Sequence, residues 1–187
     1  MLAPLTTYVR DALAGGSGAL THLVDAYCGA GLFALALAGG FERVAGIELS
    51  AESIRAATRN AELNAATIPP GKCVFRAGDA ADIFAAVPDF PPAHTALVID
   101  PPRKGTDARF LRQVVAFRPA RVVYVSCNVH TQARDIGMLL GMMREEGEKE
   151  GGKKGRYVVE SVRGFDLFPQ TAHVESVAVL RLEEEES

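Results

Sequence analysis

Apolar residues along this chain fall into two patterns that alternate. Short continuous runs rich in β-branched residues are separated by stretches where apolar positions return every three or four residues. Leu5, Tyr8, Val9 and Leu13 stand at helical spacing after Pro4, and Gly15-Gly16 ends that stretch. His22 to Ala26 is a short buried strand, Cys28 to Gly31 a tight turn, and Leu32 to Ala38 a helix packed on a sheet. Arg43 to Leu49 is a second strand, and Ser50 caps a helix running to about Ala66. Lys72 to Arg76, Thr95 to Ile99 and Arg121 to Ser126 are further strands. Among them lie a short helix after Asp79 and one over Asp107 to Ala116, and a third begins near Thr131.

That last helix runs into a polar, Gly-punctuated stretch from Arg144 to Gly155 with no period, which predicts a mobile insertion over 141–156. Tyr157 to Val162 and Val174 to Leu182 are two late strands around a turn near Phe165 to Thr171, and 183–187 is a solvated acidic tail. Strands alternating with helices imply a parallel sheet covered on both faces. The two final strands, with no helix between them, imply an antiparallel pair at its edge. Neither a repeat nor a linker divides the chain, so residues 1–187 are expected to form one domain.

Composition narrows the chemistry. Twenty Lys and Arg against 23 Asp and Glu leave a net charge of −3, which argues against a free-standing electrostatic binder of nucleic acid. An enzyme with a local basic rim remains compatible. Three cysteines, with no close pair and no zinc-type spacing, predict neither a disulfide scaffold nor a metal site. Reduced thiols fit an intracellular compartment, which one being open. Pro4, Arg10 and Asp11 interrupt any secretory signal, and no apolar run reaches membrane-spanning length.

The segment from Asp25 to Ala34 follows a strand and opens a helix. Gly29 and Gly31 allow a sharp turn and close approach of backbone to a ligand. Glu48, ending the second strand, suits ribose hydroxyls, and Asp79, ending the third, suits an adenine amino group. Gly29-x-Gly31-x-x-Ala34 also satisfies a loose dinucleotide pattern, so the turn alone leaves nicotinamide and S-adenosylmethionine cofactors open, beside a plain packing turn. Asp100-Pro101-Pro102-Arg103 favours the methyl donor. Its two prolines fix a rigid loop that holds Asp100 over the sheet edge, where methyltransferases wall donor from acceptor.

Tyr124 to Asn128 delivers Cys127 at the carboxyl end of a buried strand, the edge where open α/β sheets keep ligands. Cys28, inside the Gly turn, reads as a packed thiol, and Cys73 begins a strand with no catalytic neighbour. Glu175 shares a strand face with His173, Val177 and Val179; partial desolvation there would raise its pKa toward that of a useful base. His173 orients Glu175 or caps the turn. Arg103 and Lys104 meet a phosphate or stay solvated, and Phe33, Phe165 and Phe168 stack on bases or pack in the core.

Four segments in order then resemble one family. They are Asp25-x-x-Cys28-Gly29-x-Gly31, Asp100 to Gly105, Ser126-Cys127-Asn128 with Thr131 and Arg134-Asp135, and Phe168-Pro169-Gln170-Thr171-x-His173-Val174-Glu175. Together they are similar to the catalytic domain of the RNA uracil-5-methyltransferases, over about Leu5 to Leu182. The resemblance implies a Rossmann-like S-adenosylmethionine-dependent methyltransferase fold, a mostly parallel sheet with an antiparallel C-terminal strand. It implies Tyr27, Glu48 and Asp100 as cofactor contacts, Cys127 as nucleophile, Glu175 as base, and RNA as partner, tRNA ahead of rRNA. Leu32 departs from an Asn common in bacterial members. The family's Phe-Gln-x-Asn segment and upstream RNA-binding β-barrel have no match here, so a catalytic domain alone is expected. The rival readings are a truncated S-adenosylmethionine-binding module with little activity and a nucleotide-dependent oxidoreductase.

Overall fold

The computed structural model describes residues 2–15, 19–149, 151 and 155–184; Gly16, positions 150 and 152–154 of the expected insertion, and 185–187 of the tail lie outside them. The elements in chain order are α1 (Leu2–Ala14), β1 (His22–Ala26), α2 (Leu32–Leu37), β2 (Arg43–Glu48), α3 (Ala51–Leu63), β3 (Cys73–Ala77), β4 (Thr95–Ile99), α4 (Ala108–Phe117), β5 (Arg121–Ser126), α5 (Val129–Glu148), β6 (Arg156–Phe165) and β7 (Glu175–Glu183). Pro4 sits within the first turn of α1, where its missing N–H leaves no intrahelical bond unmade. Ser50 caps α3 as expected, its side chain accepting from the Ser53 amide at 3.2 Å.

The strands form one sheet in the order β3-β2-β1-β4-β5-β7-β6. β3, β2, β1, β4 and β5 are parallel, and β7 runs antiparallel between β5 and β6. The reversed strand is therefore interior, and β6 takes the edge. Burial explains the order. Ser176 to Leu180 of β7 are all buried and need a neighbour on each side. β6 carries exposed polar positions and a register shift between Val159 and Ser161, features that suit an outermost strand.

Successive residues in each central strand feed opposite layers. Val24, Leu97, Val122 and Tyr124 face a core closed by Phe110, Leu111 and Val114 of α4 and by Leu139 and Met143 of α5. Leu23, Val98, Val123 and Val125 face the other core, closed by Leu5, Val9 and Leu13 of α1 and Phe33 and Leu37 of α2.

Two boundaries differ from expectation. The stretch read as the start of a mobile insertion is helical through Glu148, because Gln132, Asp135, Leu139 and Met143 form one inward stripe. The Gly-rich, charged composition hid that stripe. Glu183, read as the start of a solvated tail, ends β7 and pairs with Arg181 at 2.7 Å and Arg156 at 3.2 Å.

The stripe gives a test. Met143 is 1% exposed, so Met143→Ala should destabilise the protein by about 2–5 kcal/mol. The exposed neighbour Arg144→Ala should stay within about 0.5 kcal/mol of wild type in urea unfolding. Equal, near-zero effects would mean that this segment does not pack.

Candidate active site at the carboxyl edge of the sheet

Between β1 and α2 the chain turns through three left-handed residues, Tyr27 (φ 60°), Gly29 (φ 52°) and Gly31 (φ 90°). The two glycines serve different purposes. A Cβ on Gly31 would press on Phe75 at 3.2 Å and Ala57 at 3.3 Å, so this glycine permits packing. A Cβ on Gly29 would meet nothing within 4 Å, so its backbone borders open space. Beneath the turn, Asp25 is fully buried. One carboxyl oxygen accepts from the Ala34 amide at 2.8 Å, while Oδ1 finds no partner among the described residues. Burial, with smaller contributions from Asp100 and Glu48, pushes its pKa up to about 8, against the Ala34 hydrogen bond. Burial also pushes the Cys28 and Cys73 thiols up, in keeping with packed rather than reactive cysteines.

The turn opens on a cleft of about 920 Å³, bordered by Tyr27, Glu48, Asp79, Asp100, Lys104 and Met138 among others. Four of the sequence-predicted residues thus come together. Glu48 is tied to the turn, one carboxylate oxygen accepting from Gly29 N at 3.2 Å and the other from Ser50 N at 2.9 Å. Each oxygen keeps a further lone pair for a ligand hydroxyl. The Tyr27 phenol is pushed up to about 12 by burial and then by Asp107, Asp79 and other carboxylates.

The loop carrying Asp100 is fastened to α5. Asn128 Nδ2 and Thr131 Oγ1 both donate to the Arg103 carbonyl, at 3.2 and 3.1 Å. Arg134 donates to the Lys104 carbonyl at 2.8 Å. Asp135, fully buried, accepts from Thr106 N at 2.7 Å, Thr106 Oγ1 at 3.2 Å and the Tyr124 hydroxyl at 2.6 Å, and its second oxygen accepts from Arg134. Gly105 (φ 78°) fits only without a side chain, since a Cβ would collide with the Asp135 carboxylate. The segment Asp100–Gly105 and the Arg134-Asp135 pair, distant in sequence, are one hydrogen-bonded unit.

Cys127 sits in the turn between β5 and α5. Ser126 Oγ accepts from Asn128 N at 3.0 Å, and Asn128 caps α5 through the His130 amide at 3.1 Å. Ser126 pairs with Ser176 across β5 and β7. One residue beyond that rung stand Cys127 on one strand and Glu175 on the other. Both are partly exposed, and neither borders the cleft itself. Asp100 connects the two regions. It borders the cleft, and its pKa is pushed up to about 6 by burial and then by Glu175. Glu175 is itself raised by burial, with Arg103 and His173 pulling the other way.

Sequence reasoning missed Gln132. It is 3% exposed, and its Nε2 donates to the carbonyls of Tyr124 at 2.8 Å and Ser176 at 3.1 Å, while Oε1 accepts from Ser176 Oγ at 2.8 Å. This amide ties α5 to the β5–β7 rung next to Cys127 and Glu175. Polar residues at inward-facing helical positions, 132 and 135 ahead of Leu139 and Met143, were the available signal. Of the aromatic candidates, Phe33 and Phe165 are buried in the core, and Phe168 is exposed.

A family model described as tRNA (uracil-5-)-methyltransferase matches residues 5–68. A tRNA (uracil(54)-C(5))-methyltransferase of Schizosaccharomyces pombe is 46% identical over 186 residues, covering 96% of this chain and 32% of the yeast protein. The Saccharomyces cerevisiae protein of the same description is 42% identical, covering 97% of this chain and 27% of its own length. Among solved structures, Pyrococcus abyssi tRNA (uracil-54, C5)-methyltransferase, in complex with S-adenosyl-L-homocysteine, superposes with a TM-score of 0.72 at 30% identity, over 95% of this chain and 37% of that one. The chain spans about a third of the length of these relatives. The sheet, mostly parallel with one reversed strand, is the Rossmann-like arrangement of such methyltransferases.

The buried Asp25 carries a pH signature. Its folded-state pKa lies above the unfolded value, so its contribution to stability is complete below about pH 4 and is lost as pH rises to about 8. Through that window the wild type should lose roughly 1 kcal/mol per pH unit relative to Asp25→Asn, which cannot titrate. Urea unfolding of both proteins across the range checks this; parallel stability curves would mean that Asp25 is not held neutral.

Proposed function

We infer that this chain belongs to the RNA uracil-5-methyltransferase family and holds the reaction centre for methyl transfer from S-adenosylmethionine to C5 of a uridine in RNA, tRNA ahead of rRNA. The observation that carries the reading is the placement of Cys127 and Glu175 one residue beyond the last β5–β7 rung, Ser126–Ser176, near a carboxylate-rich cleft bordered by Asp100, whose pKa Glu175 helps to raise.

The cleft's own charges favour this donor over a dinucleotide. Glu48, Asp79, Asp100 and Asp107 border it, against Lys104 and Arg134, and Arg134 is engaged with Asp135. A pyrophosphate would be repelled there, and a sulfonium cation attracted. The Ala34 amide, at the start of α2, is already taken by Asp25, and α2 has only 6 residues. Little of a helix-end phosphate site remains. Glu48 suits the ribose hydroxyls, Asp79 the adenine amino group, and the open side of Gly29 the close approach of the ligand. When bound, S-adenosylmethionine supplies an electrophilic methyl group.

C5 of uracil is a weak nucleophile. The Cys127 thiolate forms a bond to C6, and the displaced π electrons make C5 an enolate carbon able to take the methyl group. The Glu175 carboxylate then accepts the C5 proton, and the electron pair left behind restores the C5–C6 double bond as the thiolate departs. A thiol serves both steps, being a strong nucleophile and a competent leaving group. Burial raises the Glu175 pKa, the direction a base requires, while Arg103 and His173 pull the other way.

Calorimetric titration tests the cleft. S-adenosylmethionine and S-adenosylhomocysteine should bind in the micromolar range and NADH should not. The preference for the cationic ligand should fade as pH falls through about 6, where Asp100 is protonated. Tighter binding of NADH would favour the oxidoreductase reading. With uridine-containing RNA, Cys127→Ala should abolish transfer and Glu175→Gln should accumulate a covalent protein–RNA adduct. Normal turnover by Cys127→Ala would refute the mechanism.

A further inference from the structure

Phe168 stands apart from every other aromatic side chain. All nine phenylalanines and four tyrosines lie among the described residues, and Phe168 alone is exposed, at 50%. It sits at the tip of the β6–β7 hairpin, between Phe165, which pairs with Glu175, and Glu175 itself. The tip therefore lies at the edge of the sheet where Glu175 begins β7, next to the rung that Cys127 follows.

The tip is braced. Thr171 N and Thr171 Oγ1 both donate to the Phe168 carbonyl, at 3.1 and 2.7 Å, and the His173 amide donates to Thr171 Oγ1 at 3.2 Å. Gln170 takes a left-handed conformation (φ 67°), which closes the turn. The Phe168 backbone is thereby fixed while its ring faces solvent. Val174, on the same tip, is also 44% exposed. Arg103 lies near enough to act on Glu175 and brings positive charge to the same rim. A flat apolar surface beside a cationic group matches a nucleotide, with the ring under a base and the guanidinium near phosphate.

We propose that Phe168 is a stacking platform for an unpaired base of the RNA next to the uridine being modified. The inference rests on the uracil-methyltransferase reading and adds to it a specific contact. A uridine drawn out of a folded RNA leaves its neighbours unstacked, and a ring fixed at the rim supplies a replacement surface. The stack involves no sequence-specific hydrogen bond, so it holds any base in that position.

The test compares wild type, Phe168→Ala and Phe168→Tyr, using an RNA hairpin with 2-aminopurine beside a single uridine. Phe168→Ala should weaken RNA binding roughly 10- to 100-fold and abolish the fluorescence change of the 2-aminopurine. Phe168→Tyr, which keeps the ring, should restore both. Affinity for S-adenosylhomocysteine should be the same in all three, which shows that the fold and cleft are intact. In turnover, the alanine variant should raise KM for RNA with kcat at saturation little altered. Unchanged RNA affinity and fluorescence in Phe168→Ala would overturn the stacking role while leaving the methyltransferase reading in place. So would a change in sedimentation with unchanged RNA affinity, which would assign the tip to a protein contact. A wild type that binds S-adenosylhomocysteine but no RNA would remove the RNA reading itself, and the stacking role with it.

Discussion

The Asp135 carboxylate is the interaction on which the geometry of the site depends. Its two oxygens gather hydrogen bonds from the loop after β4, from the middle of β5 and from its neighbour on α5. A buried carboxylate is costly to desolvate, and it is retained where several donors converge on it. Here the donors come from elements that must keep fixed offsets. Thr106 sets the loop that bears Asp100, and Tyr124 belongs to the strand that ends at Cys127. Arg134 passes the restraint on to the Lys104 carbonyl. Removing the carboxylate would leave the Tyr124 hydroxyl and the Thr106 amide unpaired in the interior, so the loop and the strand end would be released together.

Around that anchor the sheet collects carboxyl groups, of which the buried Asp25 is held protonated up to about pH 8. Glu48, Asp25, Asp100 and Glu175 lie at the ligand edge on β2, β1, the loop after β4, and β7. Proximity raises the pKa values of Asp25 and Asp100, and burial does so more strongly. Such a row is unfavourable in the empty protein. Selection of a cation gives it a purpose, since a positive ligand relieves the repulsion and benefits from the low dielectric. The same row argues against a phosphate-bearing cofactor more firmly than the Gly turn argues for one.

Much of this was legible in the chain because the signals were periodic or local. Alternating apolar runs revealed the strands to within a residue or two, except that β6 continues three residues past Val162 to Phe165; the Gly turn marked the β1–α2 junction, and Cys127 stood where a buried run stops. What stayed hidden depends on tertiary contact. Gln132 and Asp135 are ordinary polar residues until the helix is docked with that face inward. Gly29 and Gly31 look equivalent in sequence, yet one borders open space and the other makes room for Phe75. The charged run after Met143 resembles a loop because its composition outweighs a four-residue stripe. Glu183 looks like tail until Arg156, across the β6–β7 ladder, and Arg181, two residues back on β7, pair with it.

The reversed strand explains why the pieces meet at all. Parallel strands present their carboxyl ends to the ligand edge, and β1, β2, β4 and β5 deliver Tyr27, Glu48, Asp100 and Cys127 there. A carboxylate contributed by another parallel strand would have to stand at or after the end of that strand. An antiparallel strand instead presents its beginning. β7 thus brings Glu175 to the edge as its first residue, paired with Phe165, one residue before the Ser126–Ser176 rung, while Cys127 follows that rung on the other side. The same reversal requires a hairpin that turns at that edge, which sets the braced tip and its exposed ring at the end of the sheet that bears Glu175. One antiparallel strand in a parallel sheet therefore brings Cys127 and Glu175 to the same edge, and it also builds the rim beside them.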